Sequence, residues 1–97
     1  MSRVFAVLLK RADQYDPSLT LAHQKQWTEH AAFMDAGFEE GFFLLVGPLE
    51  GTNTVLQIVR AENAEQIERR LSGDPWMGTQ LVVTQIAPWQ LRLGSLG

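Results

Sequence analysis

Four runs of apolar residues along the chain have the length and composition of β-strands, and turn residues separate them. The runs are rich in Val, Leu, Ile and Phe, which favour extended backbone. Gly47-Pro48 closes the second run, and Gly51-Thr52-Asn53 signals a turn before the third. The predicted strands are Ser2 to Lys10, Phe42 to Val46, Thr54 to Arg60 and Leu81 to about Leu91.

Two further segments have the pattern of amphipathic helices. The first, from Leu21 to about Glu40, contains no proline, and Gly37 is expected to loosen it late. Asn63 is a favoured helix cap, and Gln66 stands three residues on, which predicts a capping box and a second helix ending at Ser72-Gly73. The apolar positions of the first helix, at steps of four, three and four, are Trp27, Ala31, Met34 and Phe38.

The resulting order is β-α-β-β-α-β, which predicts an α+β, ferredoxin-like domain with one antiparallel sheet over residues 1–97. A sheet with one wet face should alternate apolar and polar residues. Val4 to Leu9 and Phe42 to Val46 do not alternate, and two helices cover only one face. We therefore expect a homodimer in which two sheets pack face to face. The alternative is that these are ordinary core strands, or that the tail Leu91 to Gly97 lies over them.

Composition and charge exclude several classes of function. The net charge is −3, and the eight Lys and Arg residues form no basic stripe, so we expect no nucleic-acid binding. The absence of cysteine removes thiolate nucleophiles, thiolate metal ligands and disulfides. The apolar run Val4 to Leu9 is too short for a signal peptide or a membrane span. The expected location is the cytoplasm, with no membrane partner.

The two histidines, His23 and His30, are the first candidates for chemistry. On one helix they would lie about 10.5 Å apart along the axis, too far to bind one metal ion, so no metal site is predicted. His30 shares a stripe with Trp27 and Met34, and imidazole is the side chain best suited to proton transfer near neutral pH. The alternative is a half-buried histidine whose ring nitrogens bind backbone or water.

Asp74-Pro75-Trp76 allows two interpretations. Asp followed by Pro can simply cap a short turn, or the Asp74 carboxylate can orient a histidine. Gly47 and Pro48 end a strand and allow a ligand to approach the backbone closely. Trp76 and Trp89 wall a pocket or fill the core. No cofactor is predicted, because the chain has no nucleotide-binding glycine motif or metal cluster.

Taken in order, several short motifs resemble the YCII-related family over almost the whole chain. The resemblance implies a dimeric α+β barrel of two ferredoxin-like units, with a His–Asp site that falls on His30 and Asp74 and not on His23. Many relatives place Arg three residues before the histidine, where this chain has Trp27, which indicates a more apolar substrate. The motifs are Trp27-Thr28-Glu29-His30-Ala31-Ala32-Phe33-Met34-Asp35, Gly41 leading to Gly47-Pro48-Leu49, Asp74-Pro75-Trp76, and Pro88-Trp89.

The resemblance also bears on activity. Chloride elimination from a hydroxylated chloroaromatic compound is ascribed within the family, and the wider barrel superfamily includes muconolactone isomerases and monooxygenases. We therefore hypothesise a cofactor-free lyase or isomerase, dehydrochlorinase-like, that acts on a small cyclic or (chloro)aromatic substrate. His30 would be the general base and Asp74 its orienting partner. Trp27, Gly47, Pro48 and Trp76 would shape the pocket. The alternative is a non-catalytic metabolite-binding or structural dimeric module.

Overall fold

The chain folds into one four-stranded antiparallel sheet and two helices, an α+β architecture. The computed structural model describes residues 2–96. None of the helices in this part of the chain combines the length and the apolar character needed to cross a membrane. The elements are β1 (Arg3–Arg11), α1 (Trp27–Glu39), β2 (Phe43–Pro48), β3 (Thr54–Ala61), α2 (Ala64–Leu71) and β4 (Leu81–Pro88).

The strand order across the sheet is β2-β3-β1-β4, which places β1 and β3 in the centre. This order and the β-α-β-β-α-β sequence of elements match the predicted ferredoxin-like arrangement. Val7, near the middle of β1, pairs with Gln57 on one side and Ile86 on the other. Strand β4 ends at Pro88, three residues before the predicted end, and one further backbone hydrogen bond follows it, from the amide of Trp89 to the carbonyl of Val4 at 2.8 Å.

The predicted start of the first helix is wrong. Leu21–His23 form a single 3₁₀ turn, and α1 begins only at Trp27. Gln26, between them, has a φ of 60°, in the left-handed region that a right-handed helix does not accommodate. His23 and His30 therefore lie on separate elements and do not share a helical face.

Gly37 plays a different part from the predicted one. The helix continues through it to Glu39 and is not loosened there. Gly37 is buried, and a Cβ built on it would lie 2.5 Å from two ring carbons of Phe43, the first residue of β2. The missing side chain thus lets α1 approach β2 closely, which fixes the distance between the helix of His30 and the neighbouring strand.

The second helix begins as predicted. Asn63 Oδ1 accepts a hydrogen bond of 2.8 Å from the amide of Gln66, which confirms the cap. The Gln66 side chain reaches back to the amide of Glu62 at 2.7 Å, one residue earlier than a standard capping box. At the other end, Ser72, Gly73 and Asp74 turn the chain with successive backbone hydrogen bonds, so the Asp74 position follows directly from where α2 ends.

Both helices pack on the same face of the sheet. The core joins the buried side chains of β1, where Phe5, Val7 and Leu9 alternate inward, with those of α2, and half-buried side chains of α1 pack against it. Ala6 and Leu8 point to the opposite face, where they remain partly exposed. Leu93 is 93% exposed, so this part of the tail does not cover that face, and Gly97 lies outside the described residues.

Candidate functional site

His30 lies in the first turn of α1, on the side that faces the sheet. Its backbone amide donates a 2.9 Å hydrogen bond to the carbonyl of Gln26, the left-handed residue that precedes the helix. The position of Gln26 therefore fixes the position of His30 in the first helical turn. The residue is 8% exposed. An imidazole this deeply buried requires hydrogen-bonding partners, and its surroundings provide one.

Asp74 follows the end of α2 and begins a tight turn. Its Oδ1 accepts a 3.0 Å hydrogen bond from the amide of Trp76, and its carbonyl accepts one of 2.9 Å from the amide of Met77. The turn-capping interpretation of Asp74-Pro75-Trp76 is therefore correct. It does not exclude the orienting role, because the side chain of Asp74 is fully buried and faces His30.

The ring nitrogen Nδ1 of His30 lies 2.8 Å from Oδ1 and 3.0 Å from Oδ2 of Asp74. A carboxylate only accepts hydrogen bonds, so Nδ1 is the donor. In the neutral ring the second nitrogen, Nε2, then carries the free lone pair. Nε2 has no hydrogen-bond partner in the described chain and is not among its fully buried polar atoms. The arrangement leaves a basic nitrogen free to meet a ligand.

Trp76 fixes the plane of the imidazole. Its ring is 2% exposed and lies parallel to that of His30, with centroids 3.9 Å apart and 4° between the planes. The indole Nε1 donates to the carbonyl of Lys25 at 2.8 Å, and the amide of the Gln80 side chain donates to the same oxygen at 2.8 Å. A hydrogen bond at its edge and stacking on its face thus hold the indole in place. His30 is constrained by Asp74 in its plane and by Trp76 perpendicular to it.

A cavity of about 490 Å³ opens beside this pair, between α1 and the β2 edge of the sheet. Five of the six predicted site residues line it, namely His30, Trp27, Gly47, Pro48 and Trp76. Asp74 does not line the cavity, because it lies behind the imidazole. Most of the remaining lining is apolar: Leu21, Met34, Phe38, Phe43, Leu44, Leu45, Val46, Val55 and Leu81.

Three polar residues of this lining, Arg11, Tyr15 and Asp35, are not among the predicted site residues. The predicted first strand ends at Lys10, whereas Arg11 is the last residue of β1. Its guanidinium carbon lies 4.4 Å from the centre of the Tyr15 ring, a cation–π contact. Arg11 and Tyr15 stand four residues apart, and this spacing in the sequence does not indicate a pocket. Trp76, in the segment that connects α2 with β4, comes to lie beside Tyr15 only when the chain folds.

Other candidates lie away from the cavity. Trp89 lines a different hollow beside Arg3 and Val4 and is 45% exposed, so it does not wall the pocket of His30. His23 is exposed and makes a 2.6 Å hydrogen bond to Thr20 through Nδ1. Within residues 2–96 there is no group of three or more His, Cys, Asp or Glu side chains placed to hold a metal ion. The chemistry of the site therefore centres on His30.

Neither the protein-family models nor the curated proteins compared with this chain give a match. The function of the site is accordingly inferred from the contacts of His30 and Asp74 and from the cavity onto which the imidazole opens.

Proposed function

We propose that this protein is a cofactor-free lyase or isomerase of the YCII-related type, in which His30 removes a proton from a small cyclic or aromatic substrate. The observation that carries the proposal is the contact of His30 Nδ1 with both oxygens of Asp74, at 2.8 and 3.0 Å, beside a largely apolar cavity. This contact leaves Nε2 as the free base of the ring. Histidine oriented by a buried carboxylate is a recurrent solution for general-base catalysis.

The proton transfer proceeds from a substrate hydroxyl or acidic carbon to Nε2. Asp74 holds the tautomer with hydrogen on Nδ1 and stabilises the imidazolium that forms. In a dehydrochlorinase-like elimination, the substrate reacts as the keto tautomer, in which the carbon that carries chlorine is tetrahedral. The electron pair released by deprotonation forms a new double bond in the ring, and chloride leaves with the pair of its carbon–chlorine bond. The substrate loses HCl overall, so the step needs no oxidant, reductant or cofactor. In an isomerisation, the same imidazolium returns the proton to another carbon.

The test is turnover of hydroxylated chloroaromatic compounds, followed by chloride release and by uptake of solvent deuterium. We expect His30→Ala to lower the rate by about two orders of magnitude or more while circular dichroism remains unchanged. Asp74→Asn keeps the acceptor for the Trp76 amide but disturbs the tautomer, so we expect a loss of similar size.

Binding of these compounds without turnover by either form would contradict catalysis. It would favour the second candidate, a metabolite-binding module that uses the same cavity. Turnover that is unchanged in His30→Ala would also overturn the assignment of the base.

We further propose that two copies of the chain form a dimeric α+β barrel through the sheet face that the helices leave open. Ala6 and Leu8 on β1 and Leu56 on β3 point to this face and are half-buried, while Leu45 on β2 is 56% exposed. Burial of such a contiguous apolar face against a second copy is favourable because it removes apolar surface from water.

Sedimentation equilibrium tests the dimer. We expect a mass of two chains for the wild type and of one chain for Ala6→Glu, which places a charge in the centre of the proposed interface. Gln90→Glu adds the same charge at an exposed position beyond β4 and should leave the dimer intact. A wild-type monomer at concentrations well above those in a cell would refute the barrel.

A further inference from the structure

We propose that the substrate of this site carries an anionic group, a carboxylate or phenolate, which Arg11 binds while the apolar skeleton lies along the cavity. The inference rests on the proposed function, because it names the substrate class of the same cavity. It is carried by the position and the lack of charge partners of one residue, Arg11, at the end of β1.

Arg11 brings a permanent positive charge to the cavity. It is half-buried and lines the cavity, and its backbone pairs with Leu81 of β4. The ion pairs among residues 2–96 are His30 with Asp74 and Arg70 with Glu40, so the guanidinium of Arg11 has no carboxylate partner there. The guanidinium instead lies over the face of the Tyr15 ring. A half-buried guanidinium without a counter-ion favours an anionic ligand, since its five donors match a carboxylate.

A continuous series of ring contacts connects Arg11 with His30. The guanidinium lies over Tyr15 at 4.4 Å, and the Tyr15 ring meets Trp76 edge-to-face with centroids 6.3 Å apart. Trp76 in turn stacks on the imidazole of His30. The cation and the base therefore both line this cavity and are joined by a run of aromatic contacts.

The charges around the cavity favour an anion beside Arg11. The charged residues of its lining are Arg11 and Asp35, and His30 lies beside them as an imidazole. Asp35 stands five residues after His30, so it lies about 7.5 Å farther along the axis of α1, and it is exposed. Asp74 is engaged by His30 and does not line the cavity. The part of the lining formed by Arg11 and His30 thus has no free carboxylate.

This arrangement changes the expectation drawn from Trp27. The replacement of an arginine by Trp27 three residues before His30 indicates an apolar substrate, yet the cavity still contains a guanidinium, contributed by β1 instead of α1. Trp27 tilts against both His30 and Trp76 with centroids 5.8 Å apart. It adds aromatic surface, and Arg11 adds the charge. Together they fit an aromatic or cyclic anion.

Benzoate and benzamide form a suitable pair of probes, because they have nearly the same shape and differ in charge. Binding is followed through the tryptophan fluorescence and the indole N–H resonance of Trp76. We expect the wild type to bind benzoate more tightly than benzamide and increasing salt to reduce the difference. Arg11→Gln should weaken benzoate binding about ten- to hundredfold and leave benzamide binding unchanged.

Two further variants keep the test decisive. Arg3→Gln removes the same charge, and a cation–π contact with Phe5, outside the cavity, so it should not alter the preference for benzoate. Arg11→Lys keeps the charge and the stem, so it should retain the preference at reduced affinity even where Arg11→Gln folds poorly.

Equal affinity for both probes, or no benzoate binding, would overturn the inference. So would a preference that survives in Arg11→Gln but disappears in His30→Ala, because the imidazolium would then be the anion site. The outcome of these binding experiments can be distinguished from the outcome of the turnover test. A benzoate preference that depends on Arg11, found together with unchanged turnover in His30→Ala, would refute only the assigned base.

Discussion

The imidazole of His30 stacks on the indole of Trp76 at 3.9 Å, and the carboxylate of Asp74 contacts both residues. It accepts a hydrogen bond from Nδ1 of the imidazole and another from the backbone amide of Trp76. One buried carboxylate therefore positions the imidazole and the indole segment that lies against it. The direction of Nε2 is fixed before any ligand arrives, which is the property that general-base catalysis requires.

Replacement of Trp76 should show how much the stacked ring contributes to stability. Trp76→Phe removes the Nε1 donor to Lys25 and leaves part of a fully buried site empty. We expect the free energy of unfolding to fall by about 1–3 kcal/mol, measured by urea denaturation. Trp89→Phe, at a half-exposed indole, should change it by less than about 0.5 kcal/mol. Equal losses for both variants would contradict the anchoring role.

Gly37 should not tolerate even one methyl group. Alanine is favoured over glycine in a helix by about 1 kcal/mol. The new Cβ would meet the buried Phe43 ring at 2.5 Å, which costs about 1–3 kcal/mol in overpacking. We expect Gly37→Ala to lower the midpoint of urea denaturation. Gly47→Ala is the matched control, since nothing lies within 4 Å of its new Cβ. A stabilised Gly37→Ala would show that α1 and β2 can separate freely.

Gln57 is a buried polar residue at the centre of the sheet. It is fully buried on β3, and neither its Nε2 nor its Oε1 has a hydrogen-bond partner in the described chain. Because the amide loses its hydration without compensation, Gln57→Met should raise the free energy of unfolding by about 1–3 kcal/mol. Gln90→Met, at an exposed position beyond β4, should have little effect. Destabilisation by Gln57→Met would show that the amide is satisfied in solution.

Asp16 should contribute a small dependence of stability on acid pH. The hydroxyl of Ser18, at 2.6 Å, and then its backbone amide, at 2.9 Å, hold the pKa of Asp16 below its ordinary value of 3.8. Because the folded pKa is the lower one, the contact stabilises the fold above about pH 3.8. The stabilisation is lost as the pH falls through the folded pKa.

Ser18→Ala tests this contact. It removes the stronger donor, so we expect the pKa of Asp16 to rise toward its ordinary value, as followed by NMR titration of its carboxyl carbon. Ser72→Ala removes a hydroxyl bonded to the carbonyl of Arg69 and should leave the pKa of Asp16 as it was. An Asp16 titration that is identical in Ser18→Ala would refute the hydrogen bond as the cause.

Local sequence patterns predicted the elements better than their boundaries. The Asn63 cap depends on residues three positions apart, so it could be predicted from the chain alone. The start of α1 could not, because the left-handed backbone of Gln26 is not a preference of glutamine. The side chain of Gln24 helps to anchor the segment before it, with hydrogen bonds to both the amide and the carbonyl of Asp16. Such contacts follow from packing and not from propensity.

By itself the sequence determined the α+β class and the order of the strands and helices, because periodicity and caps are local properties. Residue chemistry made His30 a candidate, and only the resemblance to the YCII-related family joined Asp74 to it. Only the tertiary structure decided that the two side chains meet, across 44 positions of the chain, and that Arg11 lines the same cavity. The physical reason is that the end of α2 and the start of β4 return the chain to α1. The spacing of residues along the sequence does not show that these two segments lie next to each other in the fold.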